Sequence, residues 1–258
     1  MSMSGRKGRV QRNVMATIIQ DAAILVLLRD LPGIGTKPEV LLVKRRSERG
    51  FEAGAYSFPG GVLEPTDCLP AALALSPGVT DAEAGLRMPD VEPSSRALGF
   101  WIAALRQTFA EADLLLARYG DGRLWEPSAN DLRTLVWQRR AWQQGHTNFP
   151  NMMHELERWL ATDLLVYFAH GITPETVSPR FSTRCFLTRV PSSVSALPET
   201  ALAVDQLWLT AEAALQHHAS GDLQLTEIAA KILQLLEPFP HAESAMHHHL
   251  RLQHVEML

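Results

Sequence analysis

Two short stretches of this sequence decide its fold: "GAYSFPGGVLEPTD", from Gly54 to Asp67, and "RQTFAEADLLL", from Arg106 to Leu116. The first carries a Pro-Gly-Gly turn, which breaks a strand and lets the backbone approach a ligand, because glycine has no side chain. The second lies in a long helical pattern, where positions 107, 110 and 111 share one face because their spacing is i, i+3 and i+4. Together they look like two halves of a phosphate-handling motif.

The flanking residues predict strands first and a long helix afterwards. Short runs of Ile, Val and Leu separated by Pro and Gly predict strands at 15–30, 39–46 and 55–58. Many Pro and Gly residues within 68–95 predict an inserted loop with one short helical turn at 69–75. A helix then follows over 96–118, with Ser94 or Ser95 as its cap.

The second half of the chain predicts helices, then strands, then helices again. We expect two helices within 128–161 that are hinged near 145–150, and strands at 164–173 and 180–190. Thr210 caps a short helix, and 225–239 forms a last amphipathic helix. This order predicts one α+β or α/β/α domain over 1–258, with insertions at about 68–95 and 121–165 and a C-terminal helical tail at about 226–258.

The composition indicates neither a nucleic-acid-binding nor a membrane protein, and it leaves a nucleotide-sized ligand possible. Hydrophobic residues make up 46% of the chain, enough for a sizeable core, and the net charge of −4 offers no basic surface for nucleic acid. Cys68 and Cys185 form no CxxC pair, which suits a reducing compartment. No stretch approaches the roughly 18 apolar residues of a membrane span, so we expect a cytoplasmic protein. The oligomeric state stays open, a homodimer included.

The two stretches resemble the signature of the Nudix hydrolases, written G-x5-E-x7-R-E-U-x-E-E-x-G-U, where U is a bulky aliphatic residue. Gly61 takes the first position, Asp67 stands where the signature has glutamate, and Arg106 follows after an expanded spacer, 68–105. The expanded spacer is similar to that of the coenzyme A diphosphatase-like branch. Three further segments resemble the same branch, at 40–61, 170–191 and 205–225.

The resemblance implies a Nudix-type α/β/α sandwich with a mixed sheet, and Mg²⁺ or Mn²⁺ as cofactor. By position it implies a catalytic site of Glu111, Arg106 and Gln107, with Glu111, Gln107 and Asp67 as metal ligands and Arg106 as a brace. It also implies that Gly60 and Gly61 lie against the phosphates of the substrate. Arg45 and Arg46 could meet an anionic group such as the 3′-phosphate of coenzyme A, or they could form a solvated basic turn.

The sequence departs from the signature at the residues that bind metal. The family has three glutamates on the helix face where this chain has Gln107, Ala110 and Glu111, and Asp113 replaces a glycine. Glutamine offers an oxygen but no charge, and alanine offers neither. Since Mg²⁺ prefers charged oxygen ligands, we expect weak metal binding and impaired turnover.

Three functions remain open at this stage. The first is an impaired hydrolase of a nucleoside diphosphate derivative, for example coenzyme A or acyl-CoA. The second is a protein that binds such a ligand without hydrolysis, and the third is a structural partner subunit. The C-terminal histidines suggest another metal site, but consecutive histidines on a helix point in different directions, so a solvated tail is the prediction there; they are His241, His247, His248, His249 and His254.

Overall fold

A computed structural model describes residues 19–33, 37–45, 52–192, 205–252 and 255–258. The strands are β1 (Ile19–Arg29), β2 (Glu39–Lys44), β3 (Tyr56–Ser57), β4 (Gly60–Val62), β5 (Ala117–Arg118), β6 (Trp159–Leu160), β7 (Val166–Ile172), β8 (Arg180–Arg189), β9 (Gln206–Thr210) and β10 (Glu256–Met257). The helices are α1 (Pro70–Leu73), α2 (Asp81–Arg87), α3 (Ser94–Ala112), α4 (Ala129–Gln143), α5 (Phe149–Glu155), α6 (Ala211–Ser220), α7 (Glu227–Leu236) and α8 (Ala242–Leu252).

One mixed sheet forms the centre of the fold, in the order β10-β7-β8-β1-β2-β3, with β4 also paired to β1 and β9 to β2. Strand β1 runs parallel to β8 from Ile19, opposite Arg180, to Leu28, opposite Arg189. Because successive side chains on a strand point to opposite faces, β1 supplies apolar residues to both sides of the sheet. Leu25 and Leu27 belong to one core, and Val26 to the other.

Helices cover both faces of this sheet, which confirms the predicted α/β/α arrangement. On one face, α3 packs Phe100, Trp101 and Ile102 against β1 and β8, and the inserted helices α2, α4 and α5 extend that core. On the other face, α6, α7 and α8 bury apolar residues such as Ile232 and Leu233. None of the helices in the described part of the chain has the length and apolar character that a membrane span requires.

Several boundaries differ from the prediction for local reasons. Helix α3 ends at Ala112, because Asp113 adopts a left-handed conformation with φ 60°, and its first residues have Pro93 instead of a serine side chain as cap. Helix α2 was not predicted, although Thr80 and Glu83 form a capping box at its start. Strands β4 and β9 were missed because each is short and paired with a distant strand.

The predicted solvated tail agrees with the exposed side chains of His241, His247 and His248 but is wrong for His249, and His254 lies outside the described residues. The histidine-rich stretch forms α8, and the side chain of His249 is only 5% exposed. After α8 the chain forms β10, which pairs in parallel with β7. The histidines point in different directions, as expected, but one of those directions is the core.

Candidate active site

The two glycines of the first stretch lie on β4, antiparallel to β1, with Gly60 opposite Ile24 and Gly61 opposite Ala23. A Cβ atom on Gly60 would lie 2.5 Å from the carbonyl oxygen of Ala23. A Cβ atom on Gly61 would lie 2.5 Å from Nε2 of Gln107. Gly60 therefore requires glycine, because a side chain would meet the backbone of β1, whereas a side chain at Gly61 would require the side chain of Gln107 to move. Their role in phosphate binding remains a prediction.

Arg106 and Asp67 hold the glycine strand and α3 together. The Nε of Arg106 donates to Oδ1 of Asp67 at 2.6 Å, and its Nη2 donates to Oδ2 at 2.8 Å. The same Nη2 donates to the carbonyl oxygen of Val62 at 3.1 Å, and Nη1 lies 3.1 Å from Oε1 of Glu64. Both side chains are at least nine-tenths buried, so this is a paired and hydrogen-bonded buried charge, as the brace prediction expects.

The structure points to a different role for Asp67 than the predicted metal ligand. Both of its oxygens bind Arg106, and Oδ2 also accepts from the backbone amide of Glu64 at 2.8 Å. A cavity lies next to the glycine strand. Asp67 is only 2% exposed and is not among the described residues that line this cavity. Its carboxylate therefore joins the glycine strand to α3 through Arg106, and a metal-binding role for it stays a prediction.

Of the three signature positions on one face of α3, namely 107, 110 and 111, only one carries a carboxylate. Gln107 donates from Nε2 to the carbonyl oxygen of Val62 at 3.3 Å, so its amide is turned toward the glycine strand. Ala110 contributes only its carbonyl, which accepts from Nη2 of Arg139 at 2.7 Å. Glu111 lines the cavity. The described residues contain no group of three or more carboxylate, histidine or cysteine side chains placed to hold a metal ion, so they do not fit the three-glutamate metal site of the signature.

The cavity itself has a volume of about 370 Å³ and lies between β4, the β7–β8 hairpin and the first turn of α7. Four of the charged residues that line it form two ion pairs. Arg45 lies 3.7 Å from Glu52, and Lys231 lies 3.0 Å from Glu227. The two pairs are linked, because the amide of Glu227 donates to Oε1 of Glu52 at 2.6 Å. Arg46, the other arginine predicted to contact substrate, lies outside the described residues.

A second buried pair, which the sequence did not predict, closes the end of α3. Asp113 occupies the signature's glycine position with a positive φ, and its carboxylate forms an ion pair with Arg139 of α4. Both side chains are at least 95% buried. The only signal in the sequence was the replacement of the glycine by aspartate; the partner, on an inserted helix, could not be identified without the fold.

The sandwich, the glycine strand and the Arg106–Asp67 brace define a Nudix hydrolase fold. A family model described as "NUDT19 Nudix domain" matches residues 13–228, and the chain belongs to this family. The resemblance to the coenzyme A diphosphatase-like branch is thereby confirmed.

Two relatives extend this finding. The acyl-coenzyme A diphosphatase NUDT19 of Gallus gallus is 27% identical over 222 residues, which cover 72% of this chain and 58% of that relative. The chain thus matches less than two thirds of the relative's length. A solved Nudix hydrolase from Alicyclobacillus acidocaldarius is 28% identical with a TM-score of 0.67, over 90% of this chain and 96% of the other. Nudix hydrolases generally use divalent ions such as Mg²⁺ or Mn²⁺.

Proposed function

We propose that this protein binds a nucleoside diphosphate derivative of the coenzyme A type and hydrolyses its diphosphate slowly. The observation that carries the proposal is the position of Glu111, which shares the wall of the cavity with Gly60 and Gly61. The cavity volume of about 370 Å³ suits a small-molecule site. The similarity to an acyl-coenzyme A diphosphatase supports coenzyme A or an acyl-CoA as the ligand.

The residues of the cavity indicate how such a ligand would be held. Arg45 and Lys231 are half-exposed, so each can exchange its carboxylate partner for a phosphate oxygen, which forms a strong charge-assisted hydrogen bond. Glu111 can accept a proton from a water molecule that attacks the diphosphate. Turnover is expected to be slow, because two of the three carboxylates that would concentrate metal ions are missing.

A second candidate function is ligand binding without hydrolysis, and the position of Gln107 favours it. Its amide donates to the carbonyl oxygen of Val62 and lies against Gly61. A glutamate would place negative charge beside that carbonyl oxygen and would lose the hydrogen bond. The site is therefore adapted to an uncharged residue at a position where the signature has a metal-binding carboxylate.

The two functions separate in one experiment. The protein and its Glu111→Gln variant are incubated with coenzyme A, acetyl-CoA, ADP-ribose and a dinucleoside polyphosphate, with Mg²⁺ or Mn²⁺, and products are identified by mass spectrometry. Slow cleavage that the variant loses while it still binds the ligand supports hydrolysis. Binding without cleavage in either protein supports the second function, and the absence of binding to the whole panel contradicts both.

The metal site is tested separately by calorimetric titration with Mg²⁺. With a single box carboxylate, we expect a dissociation constant no tighter than about 1 mM, in the range of weak oxygen-ligand sites. Micromolar binding that disappears in the Glu111→Gln variant would contradict this expectation. It would show that other oxygen ligands complete the site.

A further inference from the structure

One wall of the cavity is built from apolar contacts far from the glycine strand. The last strand, β10, pairs Met257 with His170 of β7, and the amide of Leu258 then donates to the carbonyl oxygen of His170 at 3.0 Å. This pairing places Leu258 next to Gly171. A Cβ atom on Gly171 would lie 2.8 Å from Cδ1 of Ile228 and 3.7 Å from Cβ of Leu258. The side chains of Ile228 and Leu258 therefore lie close to the backbone of Gly171, which has no side chain of its own.

We call Gly171, Ile228 and Leu258 the end wall; all three line the cavity. Ile228 and Leu258 are only partly buried, so part of each side chain is available to a ligand. The box residues come from β4 and α3, whereas the end wall comes from β7, α7 and the segment after β10. The family match ends at residue 228, so Leu258 lies outside the segment that this match covers.

We propose that Ile228 and Leu258 are specificity-determining residues that limit the length of the apolar arm of the ligand, for example the acyl chain of an acyl-CoA. The proposal rests on the proposed function, since it assumes a diphosphate bound at the glycine strand. An apolar group that reaches the end wall gains affinity by burying its surface against the two side chains. A longer group meets Ile228 and Leu258 and is excluded, because packed side chains yield little. The chain is thereby selective for diphosphates with a short apolar arm.

Two substitutions change the end wall in opposite directions. Leu258→Ala removes most of one side chain and should lengthen the space for the arm. Gly171→Ala adds a methyl group 2.8 Å from the tip of Ile228, which must move, and should shorten that space. Met257→Ala is the matched control, because Met257 is on the same strand but is 65% exposed and does not line the cavity. Thermal unfolding shows whether each variant is folded.

The measurement is the affinity of each protein for unacylated coenzyme A and for its acetyl, octanoyl and palmitoyl thioesters. For Leu258→Ala we expect the affinity for octanoyl-CoA relative to coenzyme A to rise at least about fivefold, since one buried methylene alone changes affinity about fourfold. Gly171→Ala should lower the same ratio, and Met257→Ala should leave it unchanged. An unchanged ratio in both end-wall variants, with coenzyme A still bound, would overturn the role of the end wall alone. If the parent binds neither coenzyme A nor its thioesters, the proposed function and this inference are both rejected.

Discussion

The two faces of the central sheet bury polar groups in different ways. On the α3 face, three buried arginines each contact an aspartate that comes from another element: Arg106 with Asp67, Arg139 with Asp113, and Arg184 with Asp90. On the α6–α8 face, the buried ring of His249 lies against Phe168 and Phe239. Neither nitrogen of this ring has a hydrogen-bond partner among the described residues.

The buried pairs of the α3 face include one from the Nudix signature, Arg106 with Asp67, which shows that part of the signature holds the fold together. A charged group is buried only where a counter-charge offsets the cost of removing it from water, and a histidine can be buried alone because it becomes neutral. The Arg106–Asp67 pair is retained although the carboxylates at 107 and 110 are missing. The brace therefore has a structural function that does not depend on a complete metal site.

The largest effect is expected from breaking the brace. Arg106→Met leaves Asp67 as a buried charge without its counter-ion, so we expect the free energy of unfolding to fall by about 3–5 kcal/mol. Urea denaturation measures this change. The control is Arg123→Met, which removes an exposed ion pair with Asp121 and should leave the free energy of unfolding nearly unchanged, because exposed pairs are screened by water and salt. A similar small loss in both variants would show that the brace contributes no more than a surface pair.

A smaller effect is expected from restoring the missing carboxylates. Gln107→Glu with Ala110→Glu returns two negative charges to the helix face that carries Glu111, at i, i+3 and i+4 spacing. We expect hydrolysis of a coenzyme A or dinucleotide substrate to rise at least about tenfold, which corresponds to about 1.4 kcal/mol in the barrier. The gain is opposed by the loss of the hydrogen bond from Gln107 to the carbonyl oxygen of Val62.

The single variant Ala110→Glu separates the effect of the carboxylate at position 110 from the effect of the carboxylate at position 107. Ala110→Glu alone leaves the Gln107 hydrogen bond intact and serves as the comparison for the double variant. A folded double variant that binds Mg²⁺ but cleaves no diphosphate would contradict the prediction. The cavity would then have changed beyond its metal ligands, as the binding-only function requires.

The sequence predicted the sandwich and the Nudix signature because the order of strands and helices agreed with the resemblance of two segments to that signature. The continuous apolar run of β1, the Gly60-Gly61 pair and the Arg106 segment each carry a signal of their own. Contacts between distant segments leave no such signal in the sequence. Arg139 lies on an inserted helix, and its pairing with Asp113 depends on how α4 packs against α3.

The residues that line the cavity show the same limit of prediction from sequence. The predicted site residues Glu111, Gly60, Gly61 and Arg45 do line it, but Lys231 and Leu258 reach it only through the packing of α7 and β10. The prediction of a solvated tail failed at His249 for a related reason. The charge and polarity of the histidine-rich segment favour solvent, and only the apolar surface of β7 and β8 explains why one side of α8 is buried.

The smallest effect concerns the other face of the sheet, where His249 titrates. Burial lowers the pKa of His249, the neighbouring His248 lowers it further, and Glu256 opposes both. Because the folded state binds this proton less readily than the unfolded chain, its stabilising contribution is complete above the ordinary histidine pKa of about 6.5 and is lost as the pH falls through the folded value. One group can contribute at most about 1.4 kcal/mol per pH unit to the free energy of unfolding.

His249→Phe should therefore flatten the decline in stability between about pH 6.5 and 5, measured by urea denaturation at several pH values. His247→Phe is the matched control, because His247 is on the same helix with its side chain 61% exposed and should leave the decline unchanged. Burial and the nearby Arg184 also lower the pKa of His170, so a residual decline is expected in every variant. Parallel pH profiles for parent, His249→Phe and His247→Phe would mean that the buried ring does not titrate with folding, and that its burial is not explained by loss of its charge.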